Sequence, residues 1–333
     1  MTDEIYNEYL RLDPKDHPVI FTEPSFHNKE NRIKLTEFMF EKYGIPGLFI
    51  CKNAVLSAFS CGRSTSLVFD SGHSSTYAVP VHDGYALQKS IIKFDAAGNW
   101  VTNELLKHTE GNLGVNIVPH YKFTKNKVED QYVTEYLKDI RDDPSYETFW
   151  KREIIRDMKE NSLVVCENPL YGGGSMSNNN TANSIPNTSY GPIGYELPDG
   201  KFIELKDERV SILERLFHPM REFHGFYGYH QMIIDSISKC DLDVRKELYS
   251  NIFVCGGNSL FAGFPERLQK QLYNSTTQSL KIKIIVHSST PERKFSSWIG
   301  GSILSSLATF HQLWLSKIEY EEHGAMIVER KCA

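Results

Sequence analysis

No apolar run in the 333 residues approaches the ~18 a helix needs to cross a bilayer, and no membrane partner is expected. The opening MTDEIYNEYL is acidic and polar, unlike a secretory signal. Cysteine is sparse: Cys51, Cys61, Cys166, Cys240, Cys255 and Cys332 form no CxxC pair. That excludes a zinc ribbon and a disulfide-dense secreted scaffold, and it fits a reducing compartment. A basic excess is also missing. The 37 Lys and Arg against 42 Asp and Glu leave a formal charge of −5, so direct nucleic-acid binding is expected to be weak or absent. There is no G-x-x-x-x-G-K-[ST] loop, no strand-linked G-x-G-x-x-G, no G-x-S-x-G elbow and no H-E-x-x-H. The 12 histidines are scattered, none spaced with another His or Cys as metal ligands are. No internal repeat marks a solenoid or propeller.

What is present is an α/β pattern, short apolar runs alternating with longer amphipathic ones, in a chain long enough for roughly two domains. Residues 31–43 have near-helical apolar spacing and are closed by Gly44 and Pro46. LFIC (48–51) reads as a buried strand and NAVLSAF (53–59) as a short helix. SLVFD (66–70) and TYAVPV (76–81) read as strands joined by a hairpin-length loop. Residues 147–160 read as a charged helix with an apolar stripe of Phe149, Ile154, Ile155 and Met158. NIFVC (251–255) and KIKIIV (281–286) read as strands, and 295–310 as an apolar helix. Gly300-Gly301 inside that helix weakens it by roughly 1–2 kcal/mol relative to Ala, which predicts something packed closely against it. Between these elements, fourteen of the twenty residues 171–190 are Gly, Ser, Asn or Thr. Such a stretch buries too little apolar surface to offset its ordering entropy, so a flexible insertion is expected at about 166–192.

Chemistry has few places to sit. Asp70-Ser71-Gly72-His73-Ser74 joins two strands: an acid at a strand end can hold a metal through water, and an adjacent glycine lets backbone N–H groups turn to a phosphate. Cys255-Gly256-Gly257-Asn258-Ser259-Leu260-Phe261 runs from a strand through glycines into a helix, presenting bare backbone. Arg156, Lys159 and Glu160 end a helix, and Lys294 lies in a turn before the apolar helix. Taken singly, each reads first as an ordinary turn or a solvated face.

In their order, however, these pieces resemble one family. Arg32…Leu35…Met39-Phe40, Gly62-Arg63-Ser64-Thr65, Asp70-Ser71-Gly72 and Val81-His82-Asp83-Gly84-Tyr85-Ala86-Leu87 are similar to the actin family. So are Glu153 through Glu160, Tyr195-Glu196-Leu197-Pro198-Asp199-Gly200, Cys240 through Lys246, Trp298-Ile299-Gly300-Gly301-Ser302-Ile303-Leu304 and Glu329-Arg330-Lys331-Cys332. The likeness covers nearly the whole chain outside the insertion. Cys51 through Leu56, Gly62 through Thr65, Pro80 through Tyr85, Gly256 through Leu260, Phe295-Ser296-Ser297-Trp298 and the ending Val328 through Cys332 lean toward the actin-related branch of chromatin-remodelling and histone-acetyltransferase complexes. Lys281 through Ile285 and Pro291 through Lys294 lean toward conventional actin.

The resemblance implies an actin-like two-lobed α/β fold, of the superfamily shared with chaperone and sugar-kinase ATPases. Residues 1–85, with 295–333 packing back on them, would form the remainder of the first lobe, and 86–294 the second. The likeness starts well inside the first lobe, so the fold is expected to be N-terminally truncated, without the first phosphate loop and the outer subdomain. It further implies an ATP site: Asp70 through Ser74 as second phosphate loop, Lys159 and Glu160 beside the adenine, Gly256 through Phe261 beside the adenosine, Lys294 near the base, and Arg156 as a further nucleotide-binding residue. His73 replaces an aspartate that helps organise magnesium in actin, and imidazole is a poor partner for a hard cation, so metal binding is expected to be weakened. Asn53 and Tyr77 stand where actin has a Gln and a His near the attacking water. A shorter amide and a weakly basic phenol predict slow or absent hydrolysis. The expectation is a non-enzymatic scaffold of nuclear complexes acting in transcription regulation. Its partners would be actin, a long helix of a helicase-like motor subunit and other complex subunits. The rival is a filament-forming cytoskeletal actin in the cytoplasm that hydrolyses ATP.

Overall fold

The computed structural model describes residues 2–128, 131–137, 140–170, 190–219 and 223–332. Thirteen strands and thirteen α-helices are found among them. Residues 171–189 of the expected insertion lie outside the described residues.

A short turn, α1 (Thr2–Glu4), precedes β1 (Val19–Glu23). Helix α2 (Lys29–Glu37) starts where the Asn28 side chain accepts the Glu30 amide at 3.0 Å, and its π-type continuation ends at left-handed Gly44, φ +65°. Then come β2 (Gly47–Lys52), α3 (Asn53–Ser60), β3 (Ser66–Ser71), β4 (Thr76–His82), β5 (Tyr85–Ala86), β6 (Ile92–Phe94) and α4 (Gly98–Lys107). Ribbon β7 (Phe123–Val128) and β8 (Gln131–Tyr136) leads to the long α5 (Pro144–Ser162), and β9 (Ile193–Glu196) and β10 (Phe202–Leu205) form a second ribbon. The rest is α6 (Glu208–Phe217), α7 (Tyr229–Ser238), α8 (Leu242–Ser250), β11 (Ile252–Cys255), α9 (Phe264–Ser275), β12 (Ile284–Ile285), α10 (Thr290–Lys294), α11 (Ser296–Ser305), β13 (Leu315–Ser316), α12 (Lys317–His323) and α13 (Val328–Lys331).

Two sheets organise the chain. The smaller runs β1-β2-β13; β1 and β2 are parallel and β13 antiparallel. The larger runs β12-β11-β3-β4-β5, with β6 also on β4. In it β3 pairs parallel with β11, Leu67 opposite Ile252 through Asp70 opposite Cys255, and antiparallel with β4. Strands β3 and β4, assigned by sequence to the first lobe, thus share a sheet with β11 from the second, and the expected boundary at residue 85 falls inside it. On β3 Leu67 and Phe69 enter a core built with α5, α6, α7 and α9, while Val68 enters another with α3 and Leu304. Burial of both faces explains the unbroken apolar run SLVFD. A third core gathers Met39, Phe40, Ile45, Leu48, Ile50, Leu315 and Val328.

Three expectations are corrected. Phe149 is not on the apolar stripe of α5: it is 55% exposed, whereas Ile155 and Met158 are buried. Nine residues at ~100° each place it half a turn away from Met158. The 281–286 strand contracts to Ile284–Ile285. The helix expected over 295–310 stops at Ser305, and its buried side is made of Ser296, Gly300, Gly301 and Leu304, with Trp298 outside. The predicted close approach resolves onto Gly300 alone. A Cβ there would lie 1.7 Å from the Leu56 carbonyl oxygen of α3, whereas one on Gly301 would meet only Leu56 Cδ1 at 3.6 Å. All six cysteines are free and five are buried.

Candidate functional site

Strand β3 ends at Asp70-Ser71, and the turn after it, Gly72 to Ser75, is pinned by backbone hydrogen bonds. Gly98 N–H donates to the Gly72 carbonyl at 3.0 Å and Asn99 N–H to the His73 carbonyl at 2.7 Å, tying the turn to the start of α4. From the other side Asn258 Nδ2 donates to Ser71 Oγ at 3.0 Å and to the Gly72 carbonyl at 3.2 Å. Asn258 belongs to the single turn Gly257–Leu260 after β11. Gly256 before it has φ +87°, and a Cβ there would lie 2.4 Å from the Ser71 carbonyl and 2.5 Å from Asp70 Oδ1, so only glycine fits. Arg293 locks this turn from behind, donating to the Ser259 and His287 carbonyls and accepting the Gly256 amide on its own carbonyl at 3.0 Å.

These two turns, the end of α5 and the α10 region enclose a cavity of about 680 Å³, in the range of small-molecule sites. Of the fifteen residues expected from sequence, Asp70, Gly72, His73, Arg156, Lys159, Glu160, Gly256, Gly257, Asn258, Leu260, Phe261 and Lys294 line it. The other three do not. Ser71 is buried behind the strand among Thr76, Tyr229 and Asn258, Ser74 is exposed, and Ser259 is buried with its hydroxyl on the Gly256 carbonyl at 2.7 Å. The structure adds Gly98, Asn161 and Thr290. Of these, Asn161 was within reach, as the next residue after Lys159-Glu160; Gly98 and Thr290 are brought in by tertiary packing and carry no local signal.

The charges are arranged unequally. Lys159 is buried, its ammonium 3.3 Å from the Gly98 carbonyl; burial pulls its pKa down, Glu160 opposes that, and Arg156 and Lys294 reinforce it. Lys294 and Glu160 pair at 3.6 Å across the mouth. At the floor, burial raises the Asp70 pKa to about 6. Asn53 stands over this carboxylate with Nδ2 donating to Asp70 Oδ2 at 3.3 Å, while its Oδ1 accepts from the Ser25 hydroxyl and the Ala54 amide, both at 2.9 Å. Tyr77 lies directly opposite Asp70 in the β3–β4 register. His73 is exposed at the rim, its pKa lowered first by partial burial and then by Lys159, Arg156 and Arg152.

A phosphorylated ligand fits this arrangement. Lys159 supplies positive charge, with Arg156 and Lys294 beside it in pairs with Glu153 and Glu160, and Gly72, Gly256 and Gly257 supply backbone unshielded by side chains, with nothing within 4 Å of a Cβ built on Gly257. A divalent cation does not fit as well. The carboxylates lining the cavity are Asp70, held toward its protonated form, and Glu160, paired with Lys294. Among the described residues no group of three or more His, Cys, Asp or Glu is placed to hold a metal.

A family model described as Actin matches residues 1–333. Actin-related protein 4 of Arabidopsis thaliana is 40% identical over 343 residues, covering 99% of this chain and 75% of that protein. Actin-related protein 4 of Oryza sativa subsp. indica is 40% identical over 348 residues, 100% of this chain and 76% of the relative. A family match across every residue, joined to relatives this similar over nearly the full length, makes the chain a member of the actin family, similar throughout to actin-related protein 4.

Proposed function

We propose that the chain is an actin-related scaffold subunit of a nuclear chromatin-remodelling or histone-acetyltransferase assembly that binds ATP at most without hydrolysing it. The observation that carries the non-hydrolytic part is the engagement of Asn53. Its oxygen already accepts from both Ser25 and the Ala54 amide, which uses both lone pairs, so it has none left to accept a hydrogen bond from an attacking water, and its nitrogen is turned to Asp70. Tyr77, opposite Asp70 in the β3–β4 register, offers only a phenol in place of a base. The likeness to actin-related protein 4 supports placing the chain outside conventional actin. In this reading the cavity, with or without nucleotide, sets the angle between the lobes, and function lies in docking.

The docking reading is supported by α11 and the segment that follows it. Phe295 is 57% exposed, Trp298 70%, Ile303 41% and Leu307 44%, more apolar surface than a solvated helix needs. An amphipathic helix of a motor subunit is the partner chemistry suited to such a face, with actin as a second partner. The net charge of −5 favours protein partners over direct DNA contact. The test is affinity purification of the tagged protein from nuclear and cytosolic extracts, with an ATPase assay on the purified chain. Recovery of a helicase-like motor or acetyltransferase scaffold with actin, and no turnover, is expected. Recovery of filament-binding proteins alone, or ATP turnover at actin-like rates, overturns the proposal.

A further inference from the structure

We propose that the cavity takes its phosphorylated ligand without a divalent cation, and that His73 answers the ligand's charge by taking up a proton. This deepens the nucleotide-binding part of the function proposed above and rests on it.

Two observations meet here. The first is the disagreement between the donor set and a hard cation. Divalent ions of this kind want several oxygen ligands, and the cavity's two carboxylates are a floor acid whose pKa burial raises to about 6 and whose Oδ2 already accepts from Asn53, and an acid already paired with Lys294. The second is the placement of His73. Its backbone is fixed by Asn99, and the neighbouring Gly72 is fixed by Gly98, so the ring sits at the rim on an immobile turn. The ring makes no hydrogen bond or ion pair with the described residues.

The charges around the ring decide its protonation. Arg156 and Lys159 of α5 line the same cavity as the ring, Arg156 paired with Glu153 at 2.5 Å, and both cations, with Arg152, lower the ring's pKa. From β3 comes Asp70, from α4 the uncharged Asn99, whose amide donates to the His73 carbonyl, and across the cavity the Lys294–Glu160 pair. Partial burial first, and then Lys159, Arg156 and Arg152, favour the neutral imidazole when the cavity is empty. A polyphosphate seated on the Gly72–Ser74 turn brings its negative charge next to the ring and reverses that field. The imidazole then gains a proton from solvent and donates a charge-assisted hydrogen bond to a phosphate oxygen. No bond is made or broken beyond this N–H, and the positive charge that a metal would bring arrives as a proton. The sign follows by linkage. Because the bound form holds the extra proton, affinity rises as pH falls, and levels off once the ring is already protonated in the free protein.

The experiment is titration calorimetry on the full chain with ATP and with inorganic tripolyphosphate, in EDTA and in magnesium. It is run at pH 7 in two buffers of different ionisation enthalpy, so that proton uptake is read directly. Binding in EDTA, with less than ~3-fold gain from magnesium and uptake of about half to one proton, is expected. His73→Asn, an exposed and near-isosteric change whose thermal melting checks the fold, should lose that uptake. It should also weaken binding about 10-fold at pH 6.5, and much less at pH 8. His73→Asp should convert binding to a magnesium-dependent form. Binding that appears only with magnesium overturns this inference and leaves the nucleotide reading standing. Unchanged proton uptake in His73→Asn overturns it as well. Binding of neither ATP nor tripolyphosphate under any condition overturns both.

Discussion

Gly300→Ala should be among the most damaging small substitutions in the molecule, while Gly301→Ala, one residue on, should be harmless or stabilising. The contrast comes from the crossing of α3 and α11. At Gly300 an added Cβ would sit 1.7 Å from the Leu56 carbonyl oxygen and 2.5 Å from its carbonyl carbon. A carbon and an oxygen need about 3.2 Å, so roughly 1.5 Å of separation has to be found, and the obstacle is main chain that cannot rotate away. Parting the helices also strains the Ser57–Ser296 hydroxyl contact at 3.1 Å and the packing of Leu304 beneath it. Overpacking a core typically costs about 1–3 kcal/mol, and a backbone obstacle puts this case at or above the top of that range. At Gly301 the new methyl meets only Leu56 Cδ1 at 3.6 Å, ordinary contact, and the helix gains up to ~1 kcal/mol from the propensity difference between Ala and Gly. Urea denaturation followed by far-UV circular dichroism measures both. A Gly300→Ala midpoint shift equivalent to less than ~1 kcal/mol, or shifts of the same sign in the two variants, would refute the reasoning, since only the direction each Cβ points separates them.

Three further outcomes are expected. Arg267 and Glu214 form a fully buried pair at 2.6 Å, with Arg267 also donating to the Cys166 carbonyl at 2.7 Å. Arg267→Leu should cost about 3–5 kcal/mol near pH 7 because it strands a buried carboxylate, and Arg267→Leu with Glu214→Leu should recover much of that, both read from urea midpoints. The loss should shrink toward pH 4, since burial already pushes the Glu214 pKa up and the stranded acid can then protonate. Asp70 is raised from 3.8 to about 6 in the fold, so its ionisation favours the unfolded chain and stability should fall as pH rises from 4 to 6. Asp70→Asn should therefore raise the melting temperature at pH 8 but not at pH 4; equal shifts at both would remove burial as the cause. On α5, Ile155→Ala should cost about 2–5 kcal/mol, whereas Phe149→Ser, on the opposite face, should change stability by less than ~0.5 kcal/mol by the same assay.

Much of the fold could be read from the chain because its signals are local. Gly44 after an amphipathic run, Pro144 at the first turn of α5 and the unbroken SLVFD each carry their own physical reason. What could not be read depended on neighbours distant in sequence. The segment 281–286 is apolar enough for a full strand, but β11 offers it partners at only Ile252 and Phe253, so pairing stops at two residues. Strand β3 looks like a continuation of the strands before it, yet besides β4 its hydrogen-bond partner is β11, nearly two hundred residues later. Apolar character tells that a strand is buried on both faces, and it does not tell whose sheet buries it.

The cavity was legible as a set of residues but not as an electrostatic arrangement. Glycines beside Asp70 and Cys255 announce bare backbone, because no side chain could occupy the space Gly256 leaves between Asp70 and Ser71. The serines misled for the opposite reason. Ser71 and Ser259 are of the right chemical type for a ligand, but strand alternation turns Ser71 inward to Tyr229, and the turn after Gly256 folds Ser259 back on its own carbonyl. His73 shows why the sum of charges matters more than the identity of one side chain. In sequence it is a lone imidazole in a polar loop. In the fold, partial burial and then three cations from α5 favour its neutral form and a ligand bearing phosphates would make it a cation, so the same residue adds no positive charge in the empty cavity and supplies one in the filled cavity.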